Sequence, residues 1–75
     1  MAEIRAEMVA NVWKVVAAQG DRVDDGDTLV ILESMKMEIP VAAPCVGIIL
    51  SLHVGEGDSV TEGQILAVIN ASGYS

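Results

Sequence analysis

The chain has 75 residues, enough for one core and too few for a second. Four basic residues against eleven acidic ones give a net charge of −7, which disfavours nucleic-acid binding and a lasting dock on an anionic membrane. The single cysteine, Cys45, excludes an internal disulfide, so stability must come from packing of a 52% hydrophobic composition.

Met1–Glu7 is mixed and charged, without the apolar centre of a signal peptide. No run reaches transmembrane length, and the expected location is the cytoplasm, with which one unpaired cysteine is consistent. Val, Ile, Leu and Ala dominate the apolar positions, there is no Phe, and seven glycines punctuate the chain. Such a composition points to short strands joined by tight turns, an all-β sandwich or barrel. Turns are expected at Gly20-Asp21 and Gly26. The apolar run Leu29-Val30-Ile31-Leu32 then leads into Glu33-Ser34-Met35-Lys36-Met37-Glu38, and Ile39-Pro40-Val41-Ala42-Ala43 leads away. The economical interpretation is strand, short reversal, strand, with Lys36 at or beside the turn. A two-residue hairpin favours Asn-Gly or Asp-Gly because both central residues need positive φ. Met and Lys give up that geometry, and broken local rules concentrate at functional sites.

The second part of the chain repeats the first. Gly57-Asp58 follows Gly20-Asp21 at an offset of 57 − 20 = 37, and at that offset Val60 matches Val23, Gly63 matches Gly26 and Leu66 matches Leu29. Ile69 matches Leu32, Ile49 matches Val12 and Ala43 matches Ala6. Two similar half-domains about a pseudo-two-fold axis are implied, each with one apolar sheet face that the other covers. Gly20, Gly26, Gly57 and Gly63 are expected at sharp turns, with Asp21 and Asp58 accepting hydrogen bonds from nearby backbone amides rather than acting in catalysis. The symmetry equivalent of the Lys36 hairpin is the pair of chain ends. The termini should therefore lie together, opposite Lys36, with Gly73, Tyr74 and Ser75 loosely held.

Glu33-Ser34-Met35-Lys36-Met37-Glu38, set in this repeat, closely resembles the modification site of biotinyl domains, the carriers of biotin-dependent carboxylases. The resemblance covers roughly residues 7 to 70 of a single domain spanning 1–75. It implies the biotinyl/lipoyl fold, a flattened barrel of short, mainly antiparallel strands in two sheets, with Met8–Val15 as the opening strand. Ala10 stands where that family commonly has Gly, and Glu7 where it has a small residue or Pro. In the family the lysine between two methionines carries biotin in amide linkage, which places covalent attachment at Lys36. Lipoyl domains share the architecture, but their lysine usually follows Asp and precedes Ala, so Met35 and Met37 favour biotin over lipoate. No insertion separates the two halves, so the "thumb" of some acyl-CoA carboxylase carriers is not expected.

On that resemblance the protein is a carrier rather than an enzyme. Biotin protein ligase would load Lys36, and the arm would then shuttle a carboxyl group between biotin carboxylase and carboxyltransferase sites. A lysine amine offers a nucleophile on a long flexible stem, and tethering makes each encounter effectively intramolecular. Met35 and Met37 are expected on one side of an extended tip with Lys36 opposite, either covering the core edge or serving as soft recognition contacts. Glu33 and Glu38 flank the tip, as marks for a basic partner surface or as an ordinary solvated pair. Lys14 is the competing amine but lies mid-strand. His53 lacks companions for a metal site, Cys45 fits a small apolar filler, and Trp13 is expected to cover a sheet edge, with a binding role as the alternative. Two alternatives stand beside biotin carriage: a lipoyl carrier, or dual acceptor, for 2-oxo acid dehydrogenases, and an unmodified interaction module that tolerates Lys36→Arg.

Overall fold

The structure, a computed structural model, describes residues 1–71. Its strands are β1 (Ala2–Arg5), β2 (Ala10–Val15), β3 (Arg22–Val23), β4 (Thr28–Ser34), β5 (Met37–Ala42), β6 (Gly47–Leu52), β7 (Ser59–Val60) and β8 (Ile65–Asn70). They form two four-stranded sheets, ordered β1-β8-β6-β3 and β5-β4-β2-β7. Every pairing is antiparallel. This is the expected two-sheet β body.

The 37-residue repeat carries strand onto strand: β2 onto β6, β3 onto β7, β4 onto β8, and β5 onto β1. Its hydrogen bonds repeat with it. Gly20 N–H donates to Ile49 C=O and Gly57 N–H to Val12 C=O, both at 2.8 Å. Gly26 N–H donates to Ala43 C=O and Gly63 N–H to Ala6 C=O at 2.9 and 2.8 Å. Asp21 Oδ2 accepts from Ala18 N–H at 2.9 Å, and Asp58 Oδ2 from Gly55 N–H at 2.8 Å, as expected of turn-closing aspartates. Gly20 and Gly57 both stand at φ 91°, in a region where an L side chain crowds its own backbone.

One feature of the two-fold differs from the sequence-based picture. The halves do not each make their own sheet. Short β3 leaves its half to pair with β6, and β7 pairs with β2. The turns after Gly20 and Gly57 direct this exchange, because Asp21 C=O accepts Ile49 N–H and Asp58 C=O accepts Val12 N–H. The halves are therefore interlocked, each completing the other's sheet. The N-terminus also differs: Ala2–Arg5 is a strand and sends Ile4 into the core, while β2 begins at Ala10 rather than Met8. Ala2 lies opposite Ile69, as Ile39 lies opposite Leu32 in the matching hairpin, so the start of β1 and the end of β8 are neighbours. Gly73, Tyr74 and Ser75 fall outside the described residues.

Inward-facing side chains meet in one apolar layer whose largest fully buried members are Leu29, Leu32, Ile49, Leu66, Ile69, Val30 and Val60. Among the described residues no polar or charged side chain is buried, so burial carries no desolvation penalty for a polar group. Matched β-bulges tune which side chains enter. Leu29 and Leu66 are skipped in the ladders with β5 and β1, and each turns inward beside an inward neighbour, Val30 or Ala67. Trp13 and Leu50 are skipped in the ladders of β2 with β4 and of β6 with β8, and both remain part-exposed. Gly47 marks a close approach of β6 to β8: a Cβ there would stand 2.3 Å from the carbonyl oxygen of Asn70. Cys45 is half-buried against this core, as a small apolar filler would be.

Candidate functional site at the β4–β5 hairpin

Ser34 and Met37 pair at the end of the β4–β5 ladder, leaving Met35 and Lys36 as the only two residues of the reversal. Both have positive φ, 53° and 66°. These are the values demanded at the centre of a type I′ turn, whose twist suits a two-residue hairpin. They are also the described chain's only non-glycine residues in that region. Each such residue costs on the order of 1 kcal/mol relative to Gly or Asn. The ladder from Thr28↔Ala42 to Ser34↔Met37 holds the turn in place.

The expected extended tip is therefore replaced by a tight turn. Met35 does not alternate with Lys36 and Met37 along a strand; it shares the bend with Lys36, while Met37 opens β5. Nor do the methionines cover the core edge, for Met35 is 92% exposed and Met37 64%. Two large apolar side chains in solvent beside an exposed amine contribute little to folding. Lys36 itself is exposed and makes no ion pair among the described residues.

Glu33 and Glu38 face each other directly across the hairpin, one pair in from the turn. Like charges in that relation repel by a few tenths of a kcal/mol. The sequence showed two flanking acids; only the register shows that they are cross-strand partners. On the other side of β4, Asn11 lies opposite Glu33, and Ser59 lies opposite Asn11 with its Oγ donating to Asn11 Oδ1 at 3.0 Å. Together with Val9, Ser34 and Met35 these residues line a shallow groove that runs to Lys36. Val9, 69% exposed, and the Asn11–Ser59 pair are neighbours of the lysine that the sequence did not mark, since only the sheet order brings β2 and β7 to the hairpin.

The remaining candidates are elsewhere. Lys14 is held in the β2 ladder opposite Ile31, with Nζ 5.5 Å from the centroid of the Trp13 ring. Trp13 lies on the outer face of β2, past the Ala10 and Asn11 that pair with β7, and its indole is 42% exposed. His53 is exposed just beyond β6, its Nε2 2.9 Å from Ser51 Oγ, and no metal-ligating cluster exists among the described residues. No helix among them is long and apolar enough to cross a membrane.

Residues 2–69 match the family model described as "Biotin-requiring enzyme". A biotinylated protein TB7.3 homolog of Mycobacterium leprae is 52% identical over 68 residues, covering 91% of this chain and 96% of that protein. The biotin/lipoyl attachment protein of Bacillus subtilis is 42% identical over 69 residues, covering 92% and 94%. Among solved structures, urea carboxylase of Kluyveromyces lactis contains a matching unit with TM-score 0.86 and 38% identity, covering 92% of this chain but 6% of that one. Likeness of this extent in sequence and in fold makes the chain a biotinyl domain of the biotin/lipoyl family, homologous to the carrier domains of carboxylases.

Proposed function

We propose that Lys36 is the residue that carries biotin, in amide linkage, and that the chain serves a carboxylase as its carrier. One observation supports this above others: the lysine amine occupies the apex of a strained two-residue turn, exposed and without an ion partner among the described residues. The site fits the group by its chemistry, since a primary amine on a four-carbon stem is what an activated acyl group needs. A ligase presents biotin as the acyl adenylate. The Lys36 amine attacks its acyl carbon, the N–C bond forms, the bond from that carbon to the phosphate oxygen breaks, and the nucleotide leaves with the electron pair. The amine proton passes to a base of the ligase or to water. When bound, biotin supplies a ureido ring that accepts and releases a carboxyl group.

The rest of the chain positions that arm. Met35 and Met37 offer soft apolar contacts to whatever closes on the tip, and Glu33 with Glu38 suits a basic surface. The β body holds the hairpin rigid, and the partners, a biotin carboxylase and a carboxyltransferase, make and break the bonds. This single small unit would thus act as a carrier and not as a catalyst. The test is mass spectrometry after coexpression with a biotin ligase. The expected result is one biotinyl group per chain, abolished by Lys36→Arg and unaffected by Lys14→Arg. No gain with biotin ligase but one with lipoate ligase would overturn the cofactor, and no gain with either would favour an unmodified interaction module.

A further inference from the structure

The two-fold allows an internal comparison. Both sheets have the same backbone, bulges and inward packing, so differences between their outer faces are not required by the fold. On the sheet that carries the lysine hairpin, register places Asn11, Glu33 and Glu38 in one outer row, and Lys14, Ile31 and Pro40 in the next. Trp13 is the bulged residue between Val12 and Lys14. The corresponding residues of the other sheet are Leu50 for Trp13, Val68 for Ile31 and Glu3 for Pro40. Leu50 occupies the same bulge and is exposed to nearly the same degree, 38% against 42%. A leucine therefore meets the structural need at this position, and the larger indole is an addition on one face only. It is the chain's single tryptophan. Next to it are Lys14, with Nζ 5.5 Å from the ring centroid, and half-buried Ile31 across on β4, while exposed Pro40 follows one strand further on, in β5. The result is a strip of Trp13, Ile31 and Pro40, bordered by the Lys14 ammonium, behind the acidic pair on the face that ends in Lys36.

We propose that this strip, with Trp13 as its anchor, is the docking surface for the biotin ligase; the proposal rests on Lys36 being the attachment site. Two physical considerations select the ligase over the carboxylase. To acylate Lys36, an enzyme must bring the amine itself within about 3–3.5 Å of the reacting carbon, so it must press against the body of the domain. A carboxylase meets the far end of a loaded arm and can act at arm's length. The second consideration is size. A stable interface covers about 800 Å² on each partner, a disc of roughly 16 Å radius, which the four-residue tip Ser34–Met37 cannot supply. Ile31 is three residues from Ser34, about 10 Å along the strand, so the Trp13 row falls inside such a footprint. An exposed aromatic side chain that docking would bury, with charged groups at its margin, matches how binding energy concentrates in interfaces. An acid pair over an excess of negative charge suits a ligase whose site handles an anionic adenylate.

The test uses the whole chain and measures biotinylation kinetics. Trp13→Leu installs the residue that the fold already accepts at position 50. Its KM for the ligase should rise about 10-fold with kcat unchanged, whereas Leu50→Ala, on the opposite face, should leave KM unaltered. In a second measurement Trp13 is replaced biosynthetically by 5-fluorotryptophan in the Lys36→Arg chain, and unlabelled ligase is added. The fluorine resonance should shift or broaden on complex formation. An unchanged KM for Trp13→Leu, or a fluorine signal indifferent to saturating ligase, overturns the docking surface; so does a defect confined to carboxylation of the loaded chain. Those outcomes leave the attachment site intact, which fails if Lys36→Arg is still biotinylated or if the unaltered chain gains no biotin.

Discussion

The turn at Met35-Lys36 stores strain that a better turn residue would release. Met35 sits at φ 53° with 92% of its surface in solvent, so replacing it removes almost no packing. Asn tolerates the left-handed region, and the relief is on the order of 0.5–1 kcal/mol. For a chain of this size that corresponds to a rise in Tm of roughly 3–6 °C. Thermal unfolding of the unmodified Met35→Asn chain, followed by circular dichroism or calorimetry, measures it directly. Biotinylation kinetics of the same variant should worsen, because the exposed thioether has been exchanged for a polar amide. Stabilisation with impaired loading would mean that the sequence keeps an unfavourable turn for recognition. An unchanged or lower Tm would refute the reasoning, since the positive φ would then carry no removable strain.

Other variants test the frame behind the hairpin. Gly20→Ala and Gly57→Ala place a methyl group in open space at φ 91°, so each should lose about 1 kcal/mol through backbone strain alone, and the two losses should be equal within error in denaturant titration. Gly47→Ala meets the Asn70 carbonyl and the Ile69 side chain and should cost more than either, roughly 2 kcal/mol or above, with chemical-shift changes in β8 by NMR. Leu29→Ala and Leu66→Ala remove matched, fully buried side chains. Each should cost about 3–5 kcal/mol, enough to leave a marginal chain largely unfolded near 37 °C. Glu33→Gln removes one member of the cross-strand acid pair and should stabilise by a few tenths of a kcal/mol at low ionic strength, the gain shrinking as salt is added.

Much of this molecule is legible in its residues. The repeat at a spacing of 37 predicts matched turns, matched core positions and a lysine hairpin whose counterpart is the chain ends. The period of apolar residues and the placement of glycine are local properties, set by backbone sterics and side-chain shape. Lys36 is visible for the same reason, a short motif in an unlikely turn. Sheet membership is different, because it depends on which backbone edges remain unpaired after the whole chain has condensed. From Arg22-Val23 or Ser59-Val60 alone nothing says that each strand pairs with the opposite half. Likewise, Glu33 and Glu38 oppose one another, and Asn11, Ser59 and Trp13 join the lysine's face, only through register and bulges that span distant parts of the chain. The sequence by itself thus determined the glycine turns, most of the buried set and the candidate amine, since these are written in local patterns of neighbouring residues. The tertiary structure alone decided the surface around that amine, because a surface is the sum of pairings between strands that no local pattern encodes.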